Sequence, residues 1–336
     1  MMYNFFKCPK CRQMMALPSC SCGYSAEYKD GIYQLTDMPY IVKDESADVK
    51  YIGYEDIGEY YSGKSLLDKI NIDEMYRKTA EIIGDGVLLD LACGDGIFTV
   101  PLTSLNTSVI SMDISDKMLS LIYKRAEVAG VEASRFTLCR ANALDIPLMD
   151  CSVDAVIANS MLHLISTPEN VVNEILRVLK KGGKFITFDD NPGRSGVLKV
   201  ELTEEEKAEN KKANEFSEFI YGRYFEILKN EYNIHPKKYS WQFDREKICS
   251  SIFSDKATYT VEDKRSKIKQ KFKDTFLHRM GGRGFSDQSD IPNDIHKSVF
   301  ERVIYEFIAK YGVESLEVSW TDSERYYTTD IVVYIK

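Results

Sequence analysis

No stretch of this 336-residue chain is long and apolar enough to span a bilayer, which excludes a helical membrane protein. Its start, "MMYNFFKCPKC", does not lead a basic stretch into an apolar run, and without that secretory pattern the expected compartment is the cytoplasm. Positive charge is in deficit: 44 Lys and Arg stand against 52 Asp and Glu, a formal net charge of -8. That balance argues against coating nucleic acid or an anionic membrane by bulk charge, while leaving room for a local basic patch. No internal repeat is visible. Cysteines are too unevenly spread for a disulfide framework: of eight, four crowd into residues 8 to 22, and Cys93, Cys139, Cys151 and Cys249 lie far apart. That distribution suits a metal knot plus reduced core thiols.

Apolar residues, at 44%, are enough for a substantial core, so one large domain with an appendage is expected and overall disorder is excluded. Residues 38–83 are tyrosine-rich and acidic, then helical in pattern, and read as a linker and amino-terminal helices. Beyond them strands and helices alternate. "VLLDLA" (87–92), "TSVISMD" (107–113), "RFTLCRAN" (135–142), "DAVIAN" (154–159) and "KFITFDD" (184–190) each read as a strand covered on both faces. In "TPENVVNEILRVLKKGG", Thr167 is the expected N-cap, Pro168 sits in the first turn and Gly182 is the expected stop. Alternation of this kind makes a doubly wound α/β sheet. It lapses over 191–295, too long for a connection, and resumes with the helix "HKSVFERVIYEFIAKYG", then "ESLEVSW" and "YYTTDIVVYIK". The expected division is therefore 1–37, a cysteine module; 38–83; a sheet domain of 84–190 and 296–336; and 191–295, an insertion over the carboxyl ends of the strands.

In an open α/β sheet, ligands bind outside those carboxyl ends. "DLACGDG", residues 90–96, is in that place, where Gly94 and Gly96 let backbone approach a ligand without a Cβ clash. A dinucleotide turn needs a third glycine, but Thr99 stands there, and no phosphate loop of the G-x-x-x-x-G-K-[ST] type occurs. The turn resembles motif I of class I S-adenosylmethionine-dependent methyltransferases, an acidic residue followed by G-x-G. The resemblance runs on through Asp113 in "SMDIS", "RANALDIPLMDCSVDAV" and "ANSMLHLISTPENVVNEILRVLKKGGKF". It implies a Rossmann-like, seven-stranded sheet and S-adenosylmethionine as cofactor. Asp90, Ala92, Cys93, Gly94 and Gly96 would form the turn against it, and Asp113 would accept the ribose hydroxyls. Ile114 and Met118 would flank the adenine, with Asn142, Ala143 and Leu144 along its edge. Asn159 and Ser160 would line the methionine or acceptor end, and Tyr61 would close over the cofactor. Taken singly, Asp90 and Asp113 also read as helix caps and Asn142 as a turn residue.

Methyl transfer from a sulfonium needs proximity, alignment and exclusion of water, and a general base only when the nucleophile arrives protonated. No catalytic triad is found. His163 is the best-placed base, against the plainer reading that a histidine between leucines packs. For the acceptor, Ile268, Phe272 and Phe276 fall at helical spacing in a basic segment, and His278, Arg279 and Arg283 in "HRMGGRGFS" are expected to clamp an anion. That segment distantly resembles the loop of trans-aconitate-type methyltransferases and points to a small polar or acidic metabolite. RNA is the alternative, and a catalytically silent cofactor-binding subunit a second. The cluster Cys8, Cys11, Cys20 and Cys22 offers four thiolates for a closed structural zinc site, or else a metal-free cap. With "CPKC", "CG" and "KDGIYQL" it resembles zinc ribbons of RNA methyltransferase systems, although Cys20 and Cys22 are one residue closer than that family's second pair.

Overall fold

The structure, a computed structural model, describes residues 4–37, 74–165, 167–190, 202–235, 244–265, 268–288, 291–322 and 325–336. Tyr61 and residues 38–73 of the expected linker lie outside the described residues. Near the amino terminus β1 (Phe6–Lys7) pairs with β2 (Met14–Met15), and β3 (Glu27–Lys29) with β4 (Ile32–Gln34), both antiparallel. Then come α1 (Glu74–Ile83), β5 (Val87–Leu91), α2 (Thr99–Ser104), β6 (Ser108–Asp113), α3 (Asp116–Ala129) and β7 (Phe136–Arg140). β8 (Val153–Ile157), α4 (Pro168–Val178) and β9 (Leu179–Asp190) follow. The remainder holds α5 (Glu204–Tyr232), α6 (Arg245–Ile252), β10 (Asp255–Arg265), β11 (Ile268–Lys271), α7 (Phe276–Gly281), α8 (Asn293–Tyr311), β12 (Ser319–Asp322) and β13 (Arg325–Ile335).

One sheet organises the chain, in the order β10-β13-β9-β8-β5-β6-β7-β4-β3. From β9 to β4 the strands run parallel, and β13 runs antiparallel to both its neighbours. Successive residues feed opposite faces, both covered, which is why the central strands are mostly apolar. Leu88, Val109, Ile157 and Ile186 pack with Tyr76 and Ile82 of α1 and with Phe98, while Leu89, Ile110, Val156 and Phe185 join Val171 and Ile175 of α4 on the other side. Local signals set the helix ends. Ser115 caps α3 and Gly130, at φ 66°, stops it, while α5 opens with a capping box between Thr203 and Glu206.

Four expectations are corrected. Among the described residues the sheet has nine strands, not seven, because β4 pairs with β7 and β3 with β4, giving the ladder groups of β7 partners they would otherwise lack. The cysteine module is thus continuous with the sheet. Second, "ESLEVSW" does not supply a sheet strand: β12 pairs with β11 in a separate ribbon, and β10, from inside 191–295, takes the edge. α8 likewise belongs to a second core with α5, through Phe216, Tyr224, Val299 and Phe307. Third, α4 ends at Val178 rather than Gly182, because the Gly182 N–H and the Gly183 carbonyl hydrogen-bond with Lys336 after β13, each at 3.0 Å. Fourth, the basic segment is no amphipathic helix. Ile268 and Phe272 are four residues apart, an even spacing that fits a strand equally well, and pairing with β12 decides it.

β10 is parallel to β9 by way of β13, so the β10 end at Arg265 and the β13 start at Arg325 lie at the carboxyl end of the parallel strands. The helical unit therefore leaves the sheet at the end where ligands bind.

Candidate functional site

β5 runs into its turn at once: Ala92, Gly94 and Gly96 take left-handed backbone, with φ of 53°, 56° and 82°. A Cβ on Gly96 would lie 3.0 Å from Ile122 Cγ1 of α3, so glycine meets both the dihedral and the packing there. The neighbouring strand pins the turn. Asp113, at the end of β6, accepts the Gly94 N–H at 2.9 Å with one oxygen and the Ser115 N–H at 3.0 Å with the other. Ser115, not Asp113, caps α3, leaving the Asp113 carboxylate at the strand's end beside the turn.

Asp90 is buried and accepts the Thr99 hydroxyl at 2.6 Å, while that hydroxyl also meets Ser111 Oγ at 2.8 Å. Thr99, noticed in the sequence only as a missing glycine, thus anchors the carboxylate. Burial pushes Asp90 up to about 7; Asp113 and Asp95 add to the shift, and the bonds from the Thr99 hydroxyl and N–H oppose it. Burial likewise raises the Cys93 thiol well above its ordinary value, so it stays neutral.

These residues open onto a cavity of about 290 Å³. Asp90, Ala92, Cys93 and Gly94 line it from β5 and its turn, Asp113, Ile114 and Met118 from β6 and α3, and Asn159 and Ser160 from the end of β8. Ser160, at φ 53°, is a second non-glycine residue in left-handed backbone facing the same space, a cluster of local strain of the sort found at binding sites. Sequence reasoning missed Asp95, Ile97, Phe98, Met161, Leu164 and Ile165. The apolar five carry no signal separating them from core. Asp95 was visible inside the turn, but its partner was not: buried Arg125 of α3 bonds its carboxylate at 2.5 Å and its carbonyl at 2.9 Å.

Other expected residues do not line the cavity. Gly96 lies behind the turn against Ile122. The Asn142 side-chain oxygen accepts the Leu144 N–H at 3.0 Å, a turn-forming bond, and Ala143 and Leu144 pack on the core. His163 sits half-buried in a one-turn 3-10 helix, and burial lowers its pKa. His278, Arg279 and Arg283 belong to the helical unit. The Arg279 guanidinium lies 4.6 Å from the centre of the Phe285 ring and donates to the Gly284 carbonyl, and Arg283 donates to that of Ile291.

Cys8, Cys11, Cys20 and Cys22 do converge, with every Sγ within 4.8 Å of the others. Cys8 and Cys22 are 3.7 Å apart and Cys11 and Cys20 3.6 Å. Tetrahedral zinc with bonds of about 2.3 Å spaces its sulfurs by about 3.8 Å, so the cluster fits that ion despite the short second pair. The first knuckle is closed by Cys8 N–H to Gln13 O at 2.8 Å and Arg12 N–H to Cys8 O at 2.9 Å.

Residues 89–187 match the family of methyltransferase domains. The matched span is a methyltransferase domain. An uncharacterised chloroplastic methyltransferase of Arabidopsis thaliana is 34% identical over 117 residues, 34% of this chain and 33% of that protein. The demethylmenaquinone methyltransferase of Clavibacter sepedonicus is 30% identical over 138 residues, 40% of this chain and 54% of that one. The chain thus spans a third to about half of these curated relatives. Among solved structures, YcgJ of Bacillus subtilis overlays with a TM-score of 0.39 at 14% identity, covering 78% of this chain and 97% of its own. The matched span holds Asp90, the glycine turn, Asp113, Asn159 and Ser160. Among the described residues no helix is long and apolar enough to cross a membrane.

Proposed function

We propose that the chain transfers the methyl group of S-adenosylmethionine to a small polar molecule. The observation that carries this reading is the Asp113 carboxylate beside a left-handed glycine turn at the mouth of a cavity of about 290 Å³, near the lower end of small-molecule sites. Asp113 would hold the ribose, Gly94 and its neighbours would admit the cofactor's backbone-facing edge, and Asp90 would favour its cationic amino-acid end. When bound, the cofactor supplies a methyl group on a sulfonium, which leaves as a neutral thioether. The chain's own part is alignment and drying: Ile97, Phe98, Met161, Leu164 and Ile165 exclude water, while Asn159 and Ser160 orient the acceptor.

The relatives support a small acceptor, since the Clavibacter protein is named for demethylmenaquinone and a Cereibacter sphaeroides relative, 30% identical over 124 residues, for phosphatidylethanolamine. An anionic acceptor has less support, because Arg279 and Arg283 are engaged within their own loop. The four cysteines are read as a structural zinc site, closed and outside the chemistry.

Calorimetry with S-adenosylmethionine and S-adenosylhomocysteine, followed by acceptor screening with labelled cofactor, tests the reading. Asp113→Ala should weaken binding by about 1–3 kcal/mol, the worth of charged hydrogen bonds. No heat with either compound at millimolar concentration defeats the proposal. Binding without transfer to any acceptor points to a silent subunit instead.

A further inference from the structure

The segment after β7, whose first residue Ala141 donates its N–H to the Asp113 carbonyl at 2.9 Å, is held from two sides. On one, α4 reaches it: Arg177 donates to the carbonyls of Ile146 at 2.8 Å and Leu148 at 2.7 Å, and Glu174 accepts the Ile146 N–H at 2.8 Å. On the other stands the cysteine module. Its backbone bonds the segment through Lys7 N–H to Pro147 O at 3.0 Å and Met149 N–H to Phe5 O at 2.8 Å. Its side chains converge on one carboxylate. Arg12 makes a two-pronged contact with Asp145, at 2.6 and 2.7 Å, and Lys7 adds a third bond at 2.9 Å. Arg12 directly follows Cys11 and Lys7 directly precedes Cys8, so the residues gripping Asp145 are fixed by the first knuckle. Arg12 also holds left-handed backbone, φ 65°, inside that knuckle's hydrogen-bonded turn. Asp145 is three residues beyond Asn142, and its N–H closes the turn by bonding the Asn142 carbonyl at 3.1 Å.

We propose that the zinc-loaded cysteine module positions the segment beside Asp113 through Arg12, Lys7 and Asp145, so that metal occupancy sets cofactor affinity. The inference rests on the cofactor reading above. A four-thiolate site stabilises its two loops only when filled. Emptying it releases the knuckle, and with it the fixed position of Arg12, while α4 still holds the far side. The segment would then retain its fold but lose the order that cofactor binding otherwise has to impose. Arg12, Lys7 and Asp145 are positioning residues here and touch no reacting atom.

The experiment measures S-adenosylhomocysteine affinity by calorimetry on the full chain, as zinc-loaded and chelator-stripped protein, with zinc content and thermal melting recorded. Stripping should weaken binding about fivefold or more, and zinc alone should restore it. Arg12→Ala, which leaves the cysteines in place, should weaken binding about three- to tenfold with zinc retained. Arg12→Asp should be worse, and adding Asp145→Arg should recover most of the loss, which general destabilisation of the module would not do. Unchanged affinity in the stripped protein or in Arg12→Ala overturns this inference alone, as does purified protein that binds no zinc. No binding by zinc-loaded wild type overturns the cofactor reading and this inference with it.

Discussion

At Asp90 the site's electrostatics become measurable. Burial holds this carboxyl at about 7, against about 4 for an unfolded aspartate, so the fold favours its protonated form. The stabilising contribution is complete below pH about 4 and is lost as pH rises through about 7. Asn cannot ionise, so Asp90→Asn should gain on wild type as pH climbs, reaching roughly 2–4 kcal/mol at pH 8 in urea unfolding of the cofactor-free protein. Cofactor binding should run oppositely. S-adenosylmethionine brings positive charge, which favours ionised Asp90, so wild-type affinity should rise from pH 6 to pH 8 while that of Asp90→Asn stays flat. Parallel pH curves for the two proteins would remove Asp90 from the cofactor's charge balance. The same residue shows what sequence can reveal. An acidic residue near the end of an apolar strand was legible as a candidate site position, and Asp90 does line the cavity; Thr99 and Ser111, which hold it, come from two other elements and carry no pattern linking them to it.

Between elements, the helical unit depends on one buried relay. Tyr224 of α5 bonds His296 Nδ1 at 2.6 Å, and His296 Nε2 bonds the Gly281 carbonyl of α7 at 2.8 Å. A carbonyl only accepts, so Nε2 carries the proton and Nδ1 accepts from the tyrosine hydroxyl. Tyr224→Phe strands a buried acceptor and should cost about 1–3 kcal/mol in denaturant unfolding, with S-adenosylhomocysteine affinity unchanged because the relay lies outside the cavity. A loss of affinity would show that this core shapes the site. Burial also lowers the His296 pKa, so its contribution is present above the unfolded value near 6.5 and is lost as pH falls through the lower folded value. Strands at the two edges of the sheet were the least legible in the sequence. β5 to β9 announce themselves as continuous apolar runs because both their faces are covered, whereas β10, "DKATYTVEDKR", lies at the sheet edge, and edges favour charge. β3 and β4 were hidden for a related reason: three-residue strands leave no periodicity to read, and only their pairing to β7 makes them part of the sheet.

For the whole molecule, the charge distribution bears on the choice between a small acceptor and a polynucleotide. A net charge of -8 leaves binding of RNA to a local basic track, and residues 264–283, with eight Lys or Arg, were read as the segment to offer one. In the folded chain that segment does not form a helix with one charged face. Lys269 pairs with Glu209 at 2.8 Å and Lys271 with Glu317 at 2.9 Å, and Lys273 contacts Glu317 as well. Such exposed pairs stabilise little individually, yet each sets a carboxylate beside a cation that would otherwise meet a phosphate. Fewer phosphates are then neutralised and fewer counterions released, and it is this release that drives non-specific RNA binding. Full-length protein should therefore leave total ribosomal RNA unshifted in native gels at about 50 mM salt, a condition that exaggerates surface electrostatics. Removing two negative charges with Glu209→Gln and Glu317→Gln should increase whatever retention exists, because it unmasks all three lysines at once. A wild-type complex that forms at low salt and dissociates steeply as salt rises would reverse the choice of acceptor, while leaving the proposed Asp113 ribose contact and the glycine turn untouched, since those lie on the sheet and not in this unit.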